Sequence, residues 1–332
     1  MSHHDAPYGD GRAFVQALTK AAKEKATTTG KPVDRLLREA YFDRFLVRVF
    51  TDTDNRWFVK GGMAMLAREP LGRQTKDIDL ATSGVDIDSA LEELRLAANI
   101  DAGDHLEFEL ERTGPLSLPT APESTQGARI RVTVLADAKV RARFNLDMVV
   151  SDPPLGAVQT IQPRTRLPLP RPVLTSDYRL YPLADQIADK IYATVAPREH
   201  SHVRQSTRVK DLVDLAIYAR TQTVQMRPLR AALTHRFSTL TTRPTRFTIP
   251  DAWQTRFAHH QLHTPLVDAS DYAGAVRDAS ALADAVFDRS VPDDAIWTPD
   301  RQWSLPSKPY KTPDLLGSPV VEPPTSDGPE LG

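Results

Sequence analysis

The chain predicts an α+β fold, a mixed β-sheet with flanking helices followed by a helical C-terminal half, and three observations carry that prediction. Two stretches with helical periodicity precede a strand–glycine–helix–strand unit at residues 59–80, VKGGMAMLAREPLGRQTKDIDL. Three β-like runs follow between residues 105 and 150. Beyond a proline-dense interval at 153–182, the long periodic segments are helical.

The elements are expected in this order. Residues 12–25 (RAFVQALTKAAKEK) place Phe14, Leu18 and Ala21 or Ala22 on one face of an amphipathic helix. After a break at 27–30, Pro32 stands where a first helical turn tolerates proline, and RLLREAYFDRFLVRVF is apolar enough for a buried helix. A short aromatic strand, 56–60, runs into Gly61 and Gly62, then a helix at 63–68, a loop at 69–76 and a strand opening on Asp77. Residues 86–98 return to helical spacing, and β runs follow at 105–112, 129–135 (RIRVTVL) and 140–150. The prolines of 153–182 argue against a packed helix or a central strand, so a connection over the surface is expected there. Helices are then expected at 183–195, 209–220, 226–237, 252–261 and 272–287. Nine of the 27 prolines fall after Val291, which predicts an extended or disordered tail. The implied organisation is a core with N-terminal helices at 1–175, a helical domain completing the site at 176–290, and the Pro-rich tail at 291–332.

At 332 residues with 40% apolar side chains the chain can bury a sizeable core. A net charge of −1 gives no global sign of nucleic-acid binding, so any such surface must be a local patch. The absence of cysteine excludes disulfides, thiol catalysis and thiolate-bound zinc. No apolar run is long enough to span a bilayer and the first residues lack a signal-peptide core, so a cytoplasmic location is expected.

Asp77 and Asp79 alternate on one strand, and side chains at i and i+2 point to the same face, where they can converge on a divalent cation. Gly61 and Gly62 let the backbone approach a phosphate at a helix start with free N–H groups. Asp147, in the apolar run FNLDMVV, needs a partner or a metal if it is ionised and buried. Carboxylates, metal and a phosphate cradle together point to chemistry on a nucleoside triphosphate. Lys190 interrupts an apolar helix face and calls for an anion, while Lys60 and Arg73 flank the glycines. Asp211 and Asp214 lie on neighbouring parts of one helix surface. His200 and His202 lack a third ligand and are assigned no metal, and His3 and His4 sit in a polar terminus.

The pair Gly61-Gly62, a helix, Arg73-Gln74-Thr75-Lys76-Asp77-Ile78-Asp79 and the later Asp147 resemble the minimal nucleotidyltransferase fold of the polymerase-β superfamily. Within it the chain resembles the AbiEii/AbiGii toxin family, which includes the MenT-like type IV toxins; LADQIADKIYA and RVKDLVDL also match, and the likeness covers roughly residues 40–220. The resemblance implies Mg²⁺ or Mn²⁺ on Asp77, Asp79 and Asp147, Lys190 on the triphosphate, and Asp211 completing the catalytic group. It implies nucleotide binding by Gly61, Gly62, Arg73, Thr75, Lys76 and Lys190. The family often has Gly-Ser at Gly61-Gly62, which removes a hydroxyl here.

The activity implied is transfer of a nucleoside monophosphate from an NTP, CTP favoured, to the 3′ end of a tRNA, blocking aminoacylation in a toxin–antitoxin or phage-defence system. A winged-helix antitoxin of the AbiEi type is the implied protein partner, and Thr75 is a site where added negative charge would repel the triphosphate. The rival readings are a nucleotidyltransferase acting on a protein or an antibiotic, a degenerate NTP-binding regulator, and a kinase-like enzyme that moves the γ-phosphate.

Overall fold

The structure is a computed structural model that describes residues 7–51, 56–116, 125–195, 209–258 and 264–306. His3, His4, His200 and His202 lie outside the described residues.

Helices α1 (Gly11–Thr29) and α2 (Val33–Thr51) come first. Asp10 caps α1 through its carboxylate on the Ala13 N–H, and Gly30 ends it in the left-handed conformation. Strand β1 (Phe58–Lys60) runs straight into α3 (Gly61–Arg68). The helix therefore starts on the glycines themselves, two residues earlier than expected. Next come β2 (Asp77–Thr82), α4 (Ile87–Ala98) and the strands β3 (Leu106–Pro115), β4 (Gln126–Ala136) and β5 (Lys139–Val150).

The prolines of 153–182 do not exclude strands. β6 (Gln159–Ile161) and β7 (Tyr178–Leu180) contain no proline, and β7 lies inside the sheet between β1 and β6. Tyr178 and Leu180 are fully buried, and the Tyr178 hydroxyl donates to Asp43 Oδ1 at 2.7 Å. That burial outweighs the low strand propensity around it.

The main sheet has the order β3-β4-β5-β2-β1-β7-β6. β2 pairs with β5, and β1 with β7, in parallel; the other pairs are antiparallel. Helices α1, α2 and α4 pack on one face. Alternation sends Ile78, Leu80, Ile130, Leu146 and Met148 into the core with Phe14, Phe42, Phe45 and Phe144. The same alternation sends Asp77, Asp79, Arg129 and Asp147 to the opposite face.

The second half holds α5 (Leu183–Val195), α6 (Val209–Thr221), β8 (Val224–Gln225), α7 (Met226–Arg236), α8 (Trp253–Ala258) and α9 (Tyr272–Phe287). Its core gathers Ile191, Leu215, Trp253 and Leu282, and Met65 of α3 belongs to it. Thus α3 carries side chains of the first core and one of the second.

The stretch after Val291, expected to be extended or disordered, instead forms β9 (Ile296–Thr298) and β10 (Gln302–Ser304), which join β8 in a three-stranded sheet. Trp297 is the reason: it is buried and its Nε1–H donates to the Ala219 carbonyl at 2.9 Å. Residues 307–332 lie outside the described residues. Among the described residues no helix is long and apolar enough to cross a membrane.

Candidate active site

Strand register brings the three aspartates together. Asp77 pairs with Asn145 and Asp79 with Asp147 across the parallel β2–β5 ladder, so all three carboxylates rise from the open face. On the other side of β2, Lys60 is the antiparallel partner of Asp79. The acidic row is thus flanked by β1 and by the start of α3.

Burial pushes the Asp79 carboxyl up to about 6, and the neighbouring Asp147 and Asp77 charges add to this; Lys190 and Lys60 pull the other way. Asp77 is raised as well, by burial and then by Asp147, with Lys210, Arg129 and a hydrogen bond from Asn145 opposing. Carboxylates that resist losing their protons beside one another form a donor set that a divalent cation would relieve. Asp77 and Asp79 fit that role. Asp147 is engaged elsewhere: Arg129 donates from Nε to its Oδ1 at 2.9 Å and from Nη2 to its Oδ2 at 3.1 Å. In keeping with this, no group of three acidic or histidine side chains among the described residues is arranged to hold a metal as it stands.

Gly61 and Gly62 have a packing role. Gly61 adopts φ +57°, and a Cβ there would lie 1.8 Å from Oδ2 of Asp79. A Cβ on Gly62 would lie 2.7 Å from the Thr75 side chain. The glycines let α3 start against the aspartate strand. Lys60 at the N-cap makes no side-chain capping bond, so the first N–H groups of α3 lack that satisfaction. The carbonyl of Gly61 accepts from Gln186 Nε2 at 2.8 Å, which ties the turn to α5.

Lys190 projects from α5 into a buried ionic cluster. Its Nζ donates to Asp214 Oδ2 at 2.6 Å and to Asp211 Oδ1 at 3.2 Å. Arg73 grips the same Asp214 with both arms, at 2.5 and 2.8 Å. Burial opposes the charge on both cations, but Asp214, then Asp211, outweighs it and holds Lys190 and Arg73 above their ordinary range. Burial likewise opposes the Asp214 charge, and Arg73 and Lys190 overcome it, keeping the carboxyl below its usual value. Tyr218 lies against this cluster, its hydroxyl buried and pushed up to about 12, chiefly by burial.

Thr75 is buried, and its hydroxyl donates to the Asp77 carbonyl at 3.1 Å, fixing the entry to β2. Lys76 is exposed. Lys60 sits 3.3 Å from Asp189 and its ammonium lies 4.0 Å from the centre of the Tyr181 ring; Arg236 joins the same group through Asp189 at 2.5 Å.

The sequence ranks Asp214 below Asp211 and misses Arg129. Asp214 is completely buried, whereas Asp211 keeps 21% of its side chain exposed, so the later aspartate organises Arg73 and Lys190. Its signal was present in the apolar run LVDLAIYA around it. Arg129 had no comparable signal, because it occupies an ordinary outward position of RIRVTVL and only strand register sets it on Asp147.

Comparison with known proteins gives the family of the chain. A family model described as nucleotidyl transferase AbiEii toxin, type IV TA system, matches residues 44–295. No curated protein matches the chain. Among solved structures, the chain is similar to MenT4, a nucleotidyltransferase toxin from Mycobacterium tuberculosis, at 17% identity and a TM-score of 0.48, covering 82% of this chain and 94% of that one. It is also similar to JHP933 from Helicobacter pylori, at 14% identity and a TM-score of 0.43, covering 76% and 91%. The family match spans three quarters of the sequence and takes in both the aspartate strand and the Lys190–Asp214 cluster; the chain belongs to the AbiEii family of nucleotidyltransferase toxins of type IV toxin–antitoxin systems.

Proposed function

We propose that this toxin moves a nucleoside monophosphate from an NTP, CTP by preference, to the 3′ end of tRNA and thereby blocks aminoacylation. One observation carries the transfer reading: Asp77 and Asp79 share the open face of β2, with Asp147 in register beside them and Lys60 and Lys190 close enough to act on Asp79. Donor base and acceptor follow from the family resemblance in the sequence.

Asp77 and Asp79, joined by Asp147, would hold Mg²⁺ or Mn²⁺. When bound, the cation supplies charge neutralisation at the phosphate and lowers the pKa of the attacking ribose hydroxyl. Asp147 would help lower the pKa of that hydroxyl. The uncapped start of α3 offers backbone N–H groups to the triphosphate, and Lys60 adds a positive charge at the same helix end. Lys190, held in place by Asp214 and Asp211, would set its charge against the phosphates from the helical half. Arg73 would act through Asp214, and Thr75 through the entry to β2. Lys76, exposed beside Asp77, is free to meet the nucleotide or the acceptor.

Membership of a type IV system implies an antitoxin partner, for which a winged-helix protein of the AbiEi type is the reading. Phosphorylation of Thr75 would first require its loop to open, because the residue is buried and its hydroxyl is bonded to the Asp77 carbonyl.

The test uses purified protein, α-labelled CTP, Mg²⁺ and total tRNA. Label is expected at the tRNA 3′ end and is expected to disappear with Asp79→Asn. Absence of labelled RNA, or equal labelling by Asp77→Ala, would overturn the reading. Label appearing on polypeptide would move the acceptor to protein.

A further inference from the structure

Arg129 sits directly on the carboxylate row. It is the antiparallel partner of Asp147 across β4 and β5, and its planar fork engages both carboxylate oxygens, at 2.9 and 3.1 Å. A divalent cation attracted to Asp77 and Asp79 needs one of those same oxygens if Asp147 is to join. The guanidinium is 51% exposed and its partner 20%. An ion pair facing solvent in this way contributes little net stability, so it opens easily.

We propose that Arg129 is a removable stand-in for the cation on Asp147: it occupies the third carboxylate while the site is unloaded and swings away when metal enters. The proposal rests on the metal-dependent reading above and deepens it. Its consequence is an order of events. Free metal meets two available carboxylates and a competing positive charge. Metal that arrives with a triphosphate brings phosphate oxygens, and the displaced guanidinium can transfer its fork to them. Arg129 therefore disfavours metal without nucleotide more than it disfavours the pair.

An arginine that served only as a cross-strand partner would behave differently. Its removal would leave metal affinity unchanged, or weaken it by loosening β5. The proposal requires the opposite sign.

The experiment titrates Mn²⁺ into the full chain without nucleotide and follows free Mn²⁺ by EPR. Arg129→Gln is expected to bind Mn²⁺ about three- to tenfold tighter than the wild type, as loss of a competing exposed ion pair and its charge implies. Arg129→Lys, which keeps the charge and loses the fork, is expected in between and stands in should the glutamine variant fold poorly. In an Asp147→Asn background, Arg129→Gln is expected to give a smaller gain, since only the Arg129 charge near Asp77 is then lost, and a gain as large as in the wild-type background overturns the proposal. Unchanged or weaker Mn²⁺ binding by folded Arg129→Gln and Arg129→Lys overturns the proposal while leaving the metal site intact. Mn²⁺ binding that Asp79→Asn does not weaken overturns the metal-dependent reading itself, and the proposal with it.

Discussion

Gly61 and Asp79 compete for the same space: a methyl group on Gly61 would lie 1.8 Å from Oδ2 of Asp79. The close approach brings the start of α3 against the aspartate strand, and the positive φ of Gly61 makes the turn possible there.

Gly61→Ala is therefore expected to displace Asp79 and abolish nucleotide transfer. Gly30 supplies the control, since it also has positive φ but nothing within 4 Å of an added Cβ. Gly30→Ala should cost only the backbone strain, about 1–2 kcal/mol, and leave activity intact. Chemical denaturation and a transfer assay on both variants check the contrast; equal activity would remove the steric assignment.

The position of Asp79 also sets a pH dependence for the metal-free protein. Its carboxyl is raised from 3.8 to about 6, mainly by burial and next by Asp147. The folded state then holds this proton more tightly than the unfolded chain does. Its stabilising contribution is present below about pH 4 and is lost as pH rises through about 6. Asp79→Asn should consequently stabilise the protein in EDTA at pH 7.5 by roughly 1–3 kcal/mol, solvent screening at the open face setting the lower end. The gain should vanish near pH 4. Urea unfolding at the two pH values checks it, and destabilisation by Asp79→Asn at pH 7.5 would contradict it.

Trp297 gives a prediction for the segment after Val291. Its ring is buried in the helical half and its N–H is bonded to Ala219. Trp297→Ala should cost about 3–5 kcal/mol and show as a lower midpoint in thermal denaturation. A change within a few tenths of a kcal/mol would mean that β9 adds nothing to the fold.

The long elements were legible because each has one strong period. The alternation in RIRVTVL and FNLDMVV gives β4 and β5, and the apolar face of LADQIADKIYATV gives α5. β6, β7, β9 and β10 were not legible, since strands of three residues carry too little alternation to stand out among prolines. Tertiary burial of Tyr178 and Trp297 decides them. In the site, the Asp77–Asp79 face could be read from one strand. Arg129 on Asp147 depends on pairing between strands, and Asp214 between Arg73 and Lys190 depends on the docking of two helices against the β2 entry loop; neither register nor docking is written in local spacing.

Asp211 and Asp214 are one helical turn apart, yet their substitution should have opposite signatures. Asp214 is fully buried and is the counter-charge to both Arg73 and Lys190. Asp214→Ala leaves two cations in a water-poor site with one partly exposed carboxylate on Lys190, and removing one partner of a buried ion pair typically costs about 3–5 kcal/mol. Asp211 is partly exposed and holds Lys190 at the longer distance of 3.2 Å. Asp211→Ala should therefore cost no more than about 1 kcal/mol in stability. If Asp211 completes the catalytic group, transfer activity should nevertheless fall in a variant that still melts near the wild-type temperature. Asp214→Ala should lose stability and activity together. Thermal denaturation paired with a transfer assay separates the two, and a stable Asp214→Ala protein would show that Arg73 and Lys190 find another counter-charge.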